Sequence, residues 1–267
     1  SYEEDQLFPM RGRSCSSRAM PFVADKFAPF AAFAEADMAT IYSEEALEKS
    51  PVRRATELQS VLLLNDGKGK LEVKPLPRLA QISPGFGVVM SDFDGDGALD
   101  GVIAQNFFTA QPETGLLDGG VGLFLRGDGR GGLSPVWPKE SGFIVPNAAT
   151  AATVVDLGDD GHPDLTVATN NGYLQAFLGK PKGRHLALTL VGKGKNRAAI
   201  GARATLELAD GRRVAQEVSA GSGYASQSSS TLFFGSAGAK SLTIRWPDGS
   251  ESKVADGLEG KKRVEQP

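Results

Sequence analysis

Short apolar segments separated by glycine-rich turns dominate the chain from about residue 57 onward. Segments 87–90 and 101–104 flank one polar loop, and segments 153–155 and 165–167 flank a second. Apolar runs this short, bounded by Gly and Asp, are typical of buried β-strands rather than of helices. The pattern therefore predicts that each polar loop joins two strands.

Asp-Gly pairs between apolar segments predict hairpins that repeat along the chain. Segment 62–71 is similar to segment 123–133, and aligning Asp66 with Asp128 gives an offset of 62 residues (128 − 66). Segment 173–178 resembles the start of a third copy. Several strands in each repeat of this length predict the blades of a β-propeller.

The C-terminal third of the chain has the alternating pattern of a separate all-β domain. Asp210-Gly211 and Asp248-Gly249 mark two hairpin turns between such runs. The predicted strands are 185–190, 204–208, 213–218 and 242–246. This pattern predicts a small sandwich or barrel.

The N-terminal segment differs from the rest of the chain. Residues 1–17 are polar, which predicts irregular structure, and residues 18–50 carry Phe and Ala at helical spacing. Pro29 is expected to divide the helical stretch, and Ser43 to cap a further helix. These helices either cover one end of the β-structure or form a partner-binding insertion.

Residues 92–100 carry the pattern D-x-D-x-D-G-x-x-D, which places four carboxylates within nine positions. Such carboxylates repel one another unless a hard cation lies between them, and Ca²⁺ takes ~6–8 oxygen ligands. The glycine at position 97 permits a sharp turn. The predicted calcium ligands are the side chains of Asp92, Asp94, Asp96 and Asp100 and the backbone carbonyl of Ala98.

The flanks of this loop exclude an EF-hand, which has helices on both sides and Glu at its twelfth position. Here the twelfth position is Ile103, within a predicted strand. Two alternatives stay open from the sequence. The loop could be a solvated Asp/Gly turn without metal, or it could hold Mg²⁺, which prefers fewer protein ligands.

A weaker copy of the loop occupies residues 156–164, which lie 64 positions downstream (156 − 92). Gly158 replaces the carboxylate at the third position of the pattern. The predicted ligands are the side chains of Asp156, Asp160 and Asp164 and the carbonyl of His162. The alternative is a degenerate loop that keeps only the turn.

Two regions resemble known families. Residues 85–100 resemble an FG-GAP or VCBS repeat, a calcium-binding propeller blade. The blocks 196–203, 217–228, 232–235 and 242–249, in this order, look like the ASPIC/UnbV domain, which follows such repeats in cartilage acidic protein and in many large bacterial secreted proteins. The resemblance covers about residues 60–267. It implies an extracellular, calcium-binding, interaction-type protein without a known reaction.

The expected fold is therefore mainly β. We expect an irregular and helical segment at 1–56, a partial β-propeller of FG-GAP/VCBS blades at 57–183, and an all-β ASPIC/UnbV domain at 184–267. Propellers close with ~4–8 blades, and only two loop-containing units are present. We expect a piece of a larger propeller or assembly; the alternative is an incomplete propeller capped by its flanking segments.

Composition narrows the possible functions. The net charge of −3 gives no general reason to bind nucleic acid. Cys15 is the only cysteine, so no internal disulfide is expected. The sequence has no apolar run long enough to cross a membrane as a helix. It begins at Ser1 without a signal segment, so an exported protein would have lost one or carry it upstream.

The sequence does not favour an enzyme. Only two histidines occur, and no Gly-x-Ser-x-Gly motif accompanies them. The pattern G-x-G-x-x-G at 127–132 is not followed by a predicted helix, which excludes a dinucleotide site. Tyr224, Ser226 and Gln227 are candidate ligand-binding residues for a glycan or peptide. Their alternative role is that of turn and strand-surface residues.

These patterns together predict a secreted or cell-surface module for interaction or adhesion, with Ca²⁺ stabilising its loops. Its expected partner is a protein or glycan at the cell surface or in the extracellular matrix. One alternative is a carbohydrate-binding accessory or hydrolase-associated protein. Another is a structural subunit that self-assembles or pairs with the remainder of a longer propeller chain through its strand edges.

Overall fold

The computed structural model describes residues 2–3, 6–110, 114–180 and 183–267. The chain divides into two compact units, Ser1–Leu58 and Gln59–Pro267. Helices dominate the first unit and strands the second, so the fold is mainly β, as predicted. None of the described helices is long and apolar enough to cross a membrane.

The first unit contains a small hairpin and five short helices in its described residues. These elements are β1 (Tyr2–Glu3), β2 (Gln6–Leu7), α1 (Arg13–Ala19), α2 (Phe22–Lys26), α3 (Phe30–Ala34), α4 (Met38–Tyr42) and α5 (Glu44–Lys49). Two predictions are confirmed: Pro29 separates α2 from α3, and the Ser43 hydroxyl caps α5 by accepting a hydrogen bond from the Ala46 N–H.

One expectation for this unit is wrong. The sequence predicts irregular structure up to residue 17, but α1 already begins at Arg13. The side chain of Arg13 donates to the backbone carbonyls of Phe27 and Ala24, which fixes α1 against α2. The helices enclose a small apolar core of Val23, Phe27, Phe33, Ala36 and Ile41.

The second unit begins with three antiparallel sheets. Their strands are β3 (Val61–Asn65), β4 (Leu71–Pro75), β5 (Gly85–Ser91), β6 (Asp100–Gln105), β7 (Leu123–Gly127), β8 (Leu133–Val136), β9 (Ala149–Val155), β10 (Asp164–Thr169) and β11 (Gln175–Phe177). A 3₁₀ turn (Arg78–Ala80) precedes β5, and α6 (Pro138–Ser141) follows β8. The orders are β3-β4, β5-β6-β7-β8 and β11-β10-β9. The predicted hairpins β3-β4 and β7-β8 are confirmed.

The second and third of these sheets pack through their first strands, β5 and β9. Gly87 of β5 lies against the backbone of β9, where a Cβ would come within 2.6 Å of the Ala152 nitrogen. Apolar side chains around this contact, including Val89, Val102 and Val167, form one core. The two Asp loops therefore occupy equivalent places, between the first two strands of neighbouring sheets.

The remaining strands form two further sheets around a second core. These strands are β12 (His185–Val191), β13 (Arg203–Leu208), β14 (Arg213–Glu217), β15 (Leu232–Gly235), β16 (Ala239–Arg245), β17 (Glu251–Val254) and β18 (Gly260–Glu265). The sheet orders are β15-β12-β18 and β14-β13-β16-β17, with β12 and β18 parallel. Leu188, Leu206, Ile244 and Trp246 are buried in the shared core. Both predicted Asp-Gly hairpins are confirmed.

The two faces of strand β12 serve different cores. Leu186, Leu188 and Leu190 point into the core of the C-terminal sheets. Ala187, between them in sequence, packs with Phe233 of β15 into the core that contains β5 and β9. Because a strand presents alternate residues to opposite faces, β12 joins the predicted blades to the predicted C-terminal domain.

Candidate metal centre

The first Asp loop leaves β5 after Ser91 and enters β6 at Asp100. Gly95 and Gly97 have φ angles of 79° and 84°, a region that glycine adopts without steric cost. Both are also crowded by later parts of the chain. A Cβ on Gly95 would lie 2.6 Å from Cε1 of His185, and one on Gly97 would lie 2.9 Å from Cδ1 of Leu208. The turn therefore requires glycine for its backbone and for its packing.

Three of the four predicted carboxylate ligands converge in this loop. Side-chain oxygens of Asp92, Asp94 and Asp100 all lie within 4.8 Å of one another. The fourth, Asp96, is outside this group, and its carboxylate accepts a 2.7 Å hydrogen bond from the Ala98 N–H. Ala98 itself is buried. The structure thus brings together the first, second and last acids of the pattern.

Asp92 is 1% exposed and receives three backbone hydrogen bonds. Its Oδ1 accepts from the Gly95 N–H at 2.7 Å, and its Oδ2 accepts from the N–H groups of Gly97 at 2.8 Å and Gly235 at 2.9 Å. Burial raises the pKa of Asp92, although the bonds from Gly95 and Gly97 oppose this effect. The Asp92 carboxylate thus holds the loop backbone through hydrogen bonds, and these bonds offset only part of the cost of burying its charge.

Asp100 is fully buried at the other end of the loop. Its carboxylate accepts hydrogen bonds from the Phe93 N–H at 3.1 Å and the Gly127 N–H at 2.9 Å. Burial raises the pKa of Asp100 to about 7, and the nearby negative charges of Asp94 and Asp92 act in the same direction. A carboxylate in this environment gains from a nearby cation, because the cation stabilises its charged form.

Arg126 of β7 places a positive charge beside this group. Its Nε lies 3.3 Å from Oδ2 of Asp94, and its NH1 lies 3.2 Å from Glu140. The Arg126 side chain is 46% exposed. Such an ion pair contributes little, about 0–1 kcal/mol, and does not reach the two buried carboxylates by direct contact.

The donor set fits a hard divalent cation. It consists of carboxylate oxygens, two of the three acids are buried, and each carboxylate as a whole retains lone-pair capacity beside its backbone bonds. Ca²⁺ and Mg²⁺ both prefer oxygen ligands, and Ca²⁺ accepts the larger and more flexible sets. Asp92, Asp94 and Asp100 would hold the ion, which would supply the positive charge that the buried acids lack.

The second Asp loop joins β9 to β10 and is organised differently. Asp156 accepts hydrogen bonds of 3.0 Å from the N–H groups of Asp160 and Gly161. Asp164 is buried and accepts from Leu157 and Gly179, both at 2.7 Å. Within the described part of the chain, these acids do not form a converging group of three. The turn is kept, whereas the predicted ligands are not brought together.

A lysine that the sequence did not single out lies against this second loop. The ammonium group of Lys261, on β18, donates to the carboxylate of Asp159 and, at 2.9 Å, to its backbone carbonyl. The negative charges of Asp156 and Asp160 also favour the ammonium ion at this place. The hydrogen bond to the Asp159 carboxylate is the main cause that raises the pKa of Lys261.

The two histidines of the chain meet between the loops. Their rings lie 5.0 Å apart with an interplanar angle of 86°. His185 is buried, and its Nε2 lies 3.1 Å from the carbonyl oxygen of Asp92. His162 belongs to the second loop, so this ring contact connects the two loops through β12. The predicted role of the His162 carbonyl as a ligand stays a prediction.

The predicted ligand-binding residues of the C-terminal region form mainly internal contacts. Gln227 bonds to the backbone of Ser219, Gly221 and Ser228, and the Ser226 hydroxyl bonds to the Ala152 carbonyl at 3.2 Å. Tyr224 is 54% exposed, and its ring lies 5.2 Å from that of Phe86. Tyr224 and Gln227 are exposed, whereas Ser226 is half-buried.

The C-terminal strands thus define a two-sheet β-domain that contacts the two Asp loops on the preceding sheets. Residues 192–265 match the family described as ASPIC and UnbV, which confirms the predicted resemblance for this part of the chain. The matched segment includes Gly235 and Lys261, which contact the first and second Asp loops. No curated protein matches the chain.

Proposed function

We propose that the chain is a secreted or cell-surface interaction module whose Asp92–Asp100 loop binds Ca²⁺. The main support for this proposal is that carboxylate oxygens of Asp92, Asp94 and Asp100 lie within 4.8 Å of one another and that two of these acids are buried. Divalent calcium offsets this buried charge. Its proposed role is structural, because a bound divalent ion would keep the three carboxylates ionised and unable to donate a proton.

The bound ion would stabilise the junction between the early sheets and the ASPIC/UnbV domain. The loop contacts Gly235 of β15 through Asp92, and His185 of β12 contacts the Asp92 carbonyl. An ion that fixes the Asp92 side chain also fixes these contacts. Calcium would therefore act on the folding of both regions, and not on the loop alone.

Sheets β5-β8 and β9-β11 support the proposal that this region is a partial β-propeller. The first is a four-stranded meander, the second has three strands, and their first strands pack together. Each carries its Asp loop between its first two strands. The β3-β4 hairpin corresponds by sequence to β7-β8, so it would form the outer strands of a preceding blade. Blades stacked in this way leave loops on one face for a partner.

A second candidate function is that of a structural subunit that assembles with copies of itself. The observation that favours it is the two-stranded β3-β4 sheet, whose counterpart β7-β8 belongs to a sheet of four. Leu63, Leu71 and Val73 of this hairpin are each about half exposed. A further strand added to its edge would cover apolar surface and satisfy backbone groups.

A calcium titration followed by melting temperature and light-scattering mass tests both candidates. The first predicts a rise in melting temperature at constant monomer mass, and a smaller rise in Asp94→Asn at the same calcium concentration. The same titration with Mg²⁺ at equal concentration shows which of the two ions raises the melting temperature more. No response to either ion would contradict the metal site. A mass that grows with concentration, without a calcium response, would favour the structural subunit.

A further inference from the structure

Strand β11 forms an open edge of the sheet β11-β10-β9. Within the described ranges of the chain, it pairs only with β10. In the preceding sheet, the corresponding third strand, β7, is covered on its outer side by a fourth strand, β8. The next described strand after β11 is β12, which belongs to a different sheet. The outer side of β11 can therefore accept a further strand through its backbone N–H and C=O groups.

Large apolar side chains flank this edge and are exposed. Tyr173 is 89% exposed, Leu174 68% and Leu178 65%. Phe177 packs against the core of the sheet, and successive residues of a strand point to opposite faces. Leu174 and Leu178 therefore share the outer face of the sheet, where Ala176 between them is also exposed. They form an apolar strip along the open edge.

The β11 edge lacks the usual protection against strand addition. Edge strands of natural proteins commonly carry charged side chains or proline, which oppose pairing with another chain. Three other edge strands follow this rule, since β8 contains Pro135, β17 contains Lys253 and β18 contains Lys262. Residues 170–179, which include β11 and both of its flanks, contain no charged residue and no proline.

The segment around β11 is complementary to a second copy of itself. In an antiparallel pairing centred on Ala176, Leu174 lies opposite Leu178 of the second copy, because each is two positions from the centre. Directly opposed residues have Cβ atoms ~4.5–5.5 Å apart, so the two leucines are in contact. The two-fold symmetry repeats this contact. A register shifted by two positions would place a leucine opposite Gly172 or Lys180 instead.

We propose that β11 pairs with β11 of a second copy of this chain, antiparallel and centred on Ala176. The two three-stranded sheets then join into one sheet of six strands. Association stops at two chains, because a two-fold pairing uses the same edge of both copies. This interface is separate from the β3-β4 edge, and calcium binding does not enter it.

The dimer should be weak. A seam of about five residues from each copy is small beside the ~20–30 residues a side of a standard stable interface. We therefore expect dimers at roughly 100 µM chain and above. At the micromolar concentrations of a melting experiment, the chain remains a monomer.

Sedimentation and light scattering of the full chain in chelator, from micromolar to millimolar concentration, test the proposal. We expect the mass to rise from one chain toward two and no further. Leu174→Lys combined with Leu178→Lys sets lysine opposite lysine twice and should weaken dimerisation at least about tenfold, because directly opposed like charges are destabilising. Both leucines are exposed in the single chain, so the melting temperature should stay that of the parent.

A charge-pair variant tests the register. Leu174→Lys combined with Leu178→Glu places each lysine opposite a glutamate of the second copy only in the proposed register, so it should restore the dimer. Within one chain, the two positions lie about 13 Å apart along the strand and do not pair. Leu63→Lys is the matched control, because Leu63 is a half-exposed leucine on β3, and it should leave the dimer unchanged.

Four results would overturn the proposal. A mass of one chain at every concentration would show that copies do not pair, and a mass beyond two would show that the pairing does not close. Dimers of undiminished strength in the two-lysine variant would locate the interface elsewhere, and a loss in Leu63→Lys would locate it at the β3-β4 edge. Failure of the Lys–Glu variant to dimerise would exclude the register centred on Ala176.

Discussion

Asp92 accepts a hydrogen bond of 2.9 Å from the backbone N–H of Gly235, which lies 143 positions later in the sequence. The approach is so close that a Cβ on Gly235 would come within 2.1 Å of the Asp92 carboxylate and 2.6 Å of the Gly97 nitrogen. A glycine in the ASPIC/UnbV domain therefore forms part of the wall around the candidate calcium loop.

Gly235→Ala should destabilise the protein and weaken calcium binding. The added methyl must displace the Asp92 carboxylate or the loop backbone, and overpacking of this kind costs about 1–3 kcal/mol. Gly158→Ala is the matched control, because a Cβ there meets only Asp160 at the ordinary distance of 3.6 Å. Urea unfolding with and without calcium measures both effects. Equal behaviour of the two variants would contradict the proposed contact.

Asp94→Asn and Asp92→Asn should separate metal binding from loop structure. The Asp94 side chain is 35% exposed, so its variant should keep its stability without calcium to within about 0.5 kcal/mol. It should nevertheless bind calcium roughly tenfold more weakly, because affinity follows ligand charge. Asp92→Asn should be less stable both with and without calcium. Its amide NH₂ would face backbone N–H donors, and a buried polar group left unsatisfied in this way costs about 1–3 kcal/mol of unfolding free energy.

Calorimetric titration and urea unfolding in chelator distinguish these two outcomes. Asp96→Asn serves as a third variant, because Asp96 lies outside the converging group. A loss of calcium binding in Asp96→Asn that equals the loss in Asp94→Asn would show that the ion uses a different ligand set.

The metal-free protein should become less stable as the pH rises from about 4 to about 7. The folded-state pKa of Asp100, about 7, lies above the ordinary value of 3.8 for an aspartate, so the folded protein holds a proton that the unfolded chain releases. Stability then falls with pH across this window. The raised pKa of Asp92 acts in the same direction.

Melting curves in chelator across this pH range measure the effect. Asp100→Asn, which cannot ionise, should flatten the profile. Calcium should raise the melting temperature most at the upper end of the window, where the carboxylates are charged. An unchanged profile in Asp100→Asn would locate the titrating group elsewhere.

Arg126→Gln should raise the calcium affinity. Arg126 lies 3.3 Å from Asp94 and places a positive charge beside the proposed ion. Removing a unit charge a few ångströms away in water is worth about 1 kcal/mol, or roughly fivefold in affinity. Arg130→Gln, in the turn of the same hairpin, is the control. The difference should shrink at high ionic strength, because salt screens exposed charges. Lower affinity in Arg126→Gln would argue against a cation at this place.

The chain should bind one calcium ion rather than two. The acids of the second loop do not converge, and the Lys261 ammonium already contacts Asp159. Asp156→Asn should therefore leave the calcium stoichiometry unchanged. Lys261→Met should leave the melting temperature almost unchanged, because this ion pair is exposed. Equilibrium dialysis gives the count, and two bound ions per chain would contradict the prediction.

Local patterns sufficed to predict the strands and turns on either side of each loop. Short apolar runs and Asp-Gly pairs specify hairpins through interactions between near neighbours. The same holds for the helix break at Pro29. Helix α4 was not predicted, because its five residues, with β-branched Thr40 and Ile41, carry a weak helical signal.

The surroundings of the loops could not be predicted, because they depend on residues far away in sequence. His185, Gly235 and Lys261 reach the loops from strands that begin about 90 or more positions later. A single sequence contains no periodicity that relates a glycine in β15 to an aspartate after β5. For the same reason, the pattern of acids in the second loop did not reveal that a lysine lies against them.

The contact between Asp92 and Gly235 also determines when the Asp loop can be completed during protein synthesis. A chain emerges from the ribosome N-terminus first, so the Asp loop is exposed to solvent long before β15 exists. During that interval, Oδ2 of Asp92 lacks the Gly235 N–H, one of the two backbone donors that it has in the folded structure. The loop acquires its complete set of bonds only after nearly the whole domain has been translated. In a chain that is interrupted before Gly235, the Asp92 carboxylate therefore lacks one hydrogen bond that it has in the completed molecule.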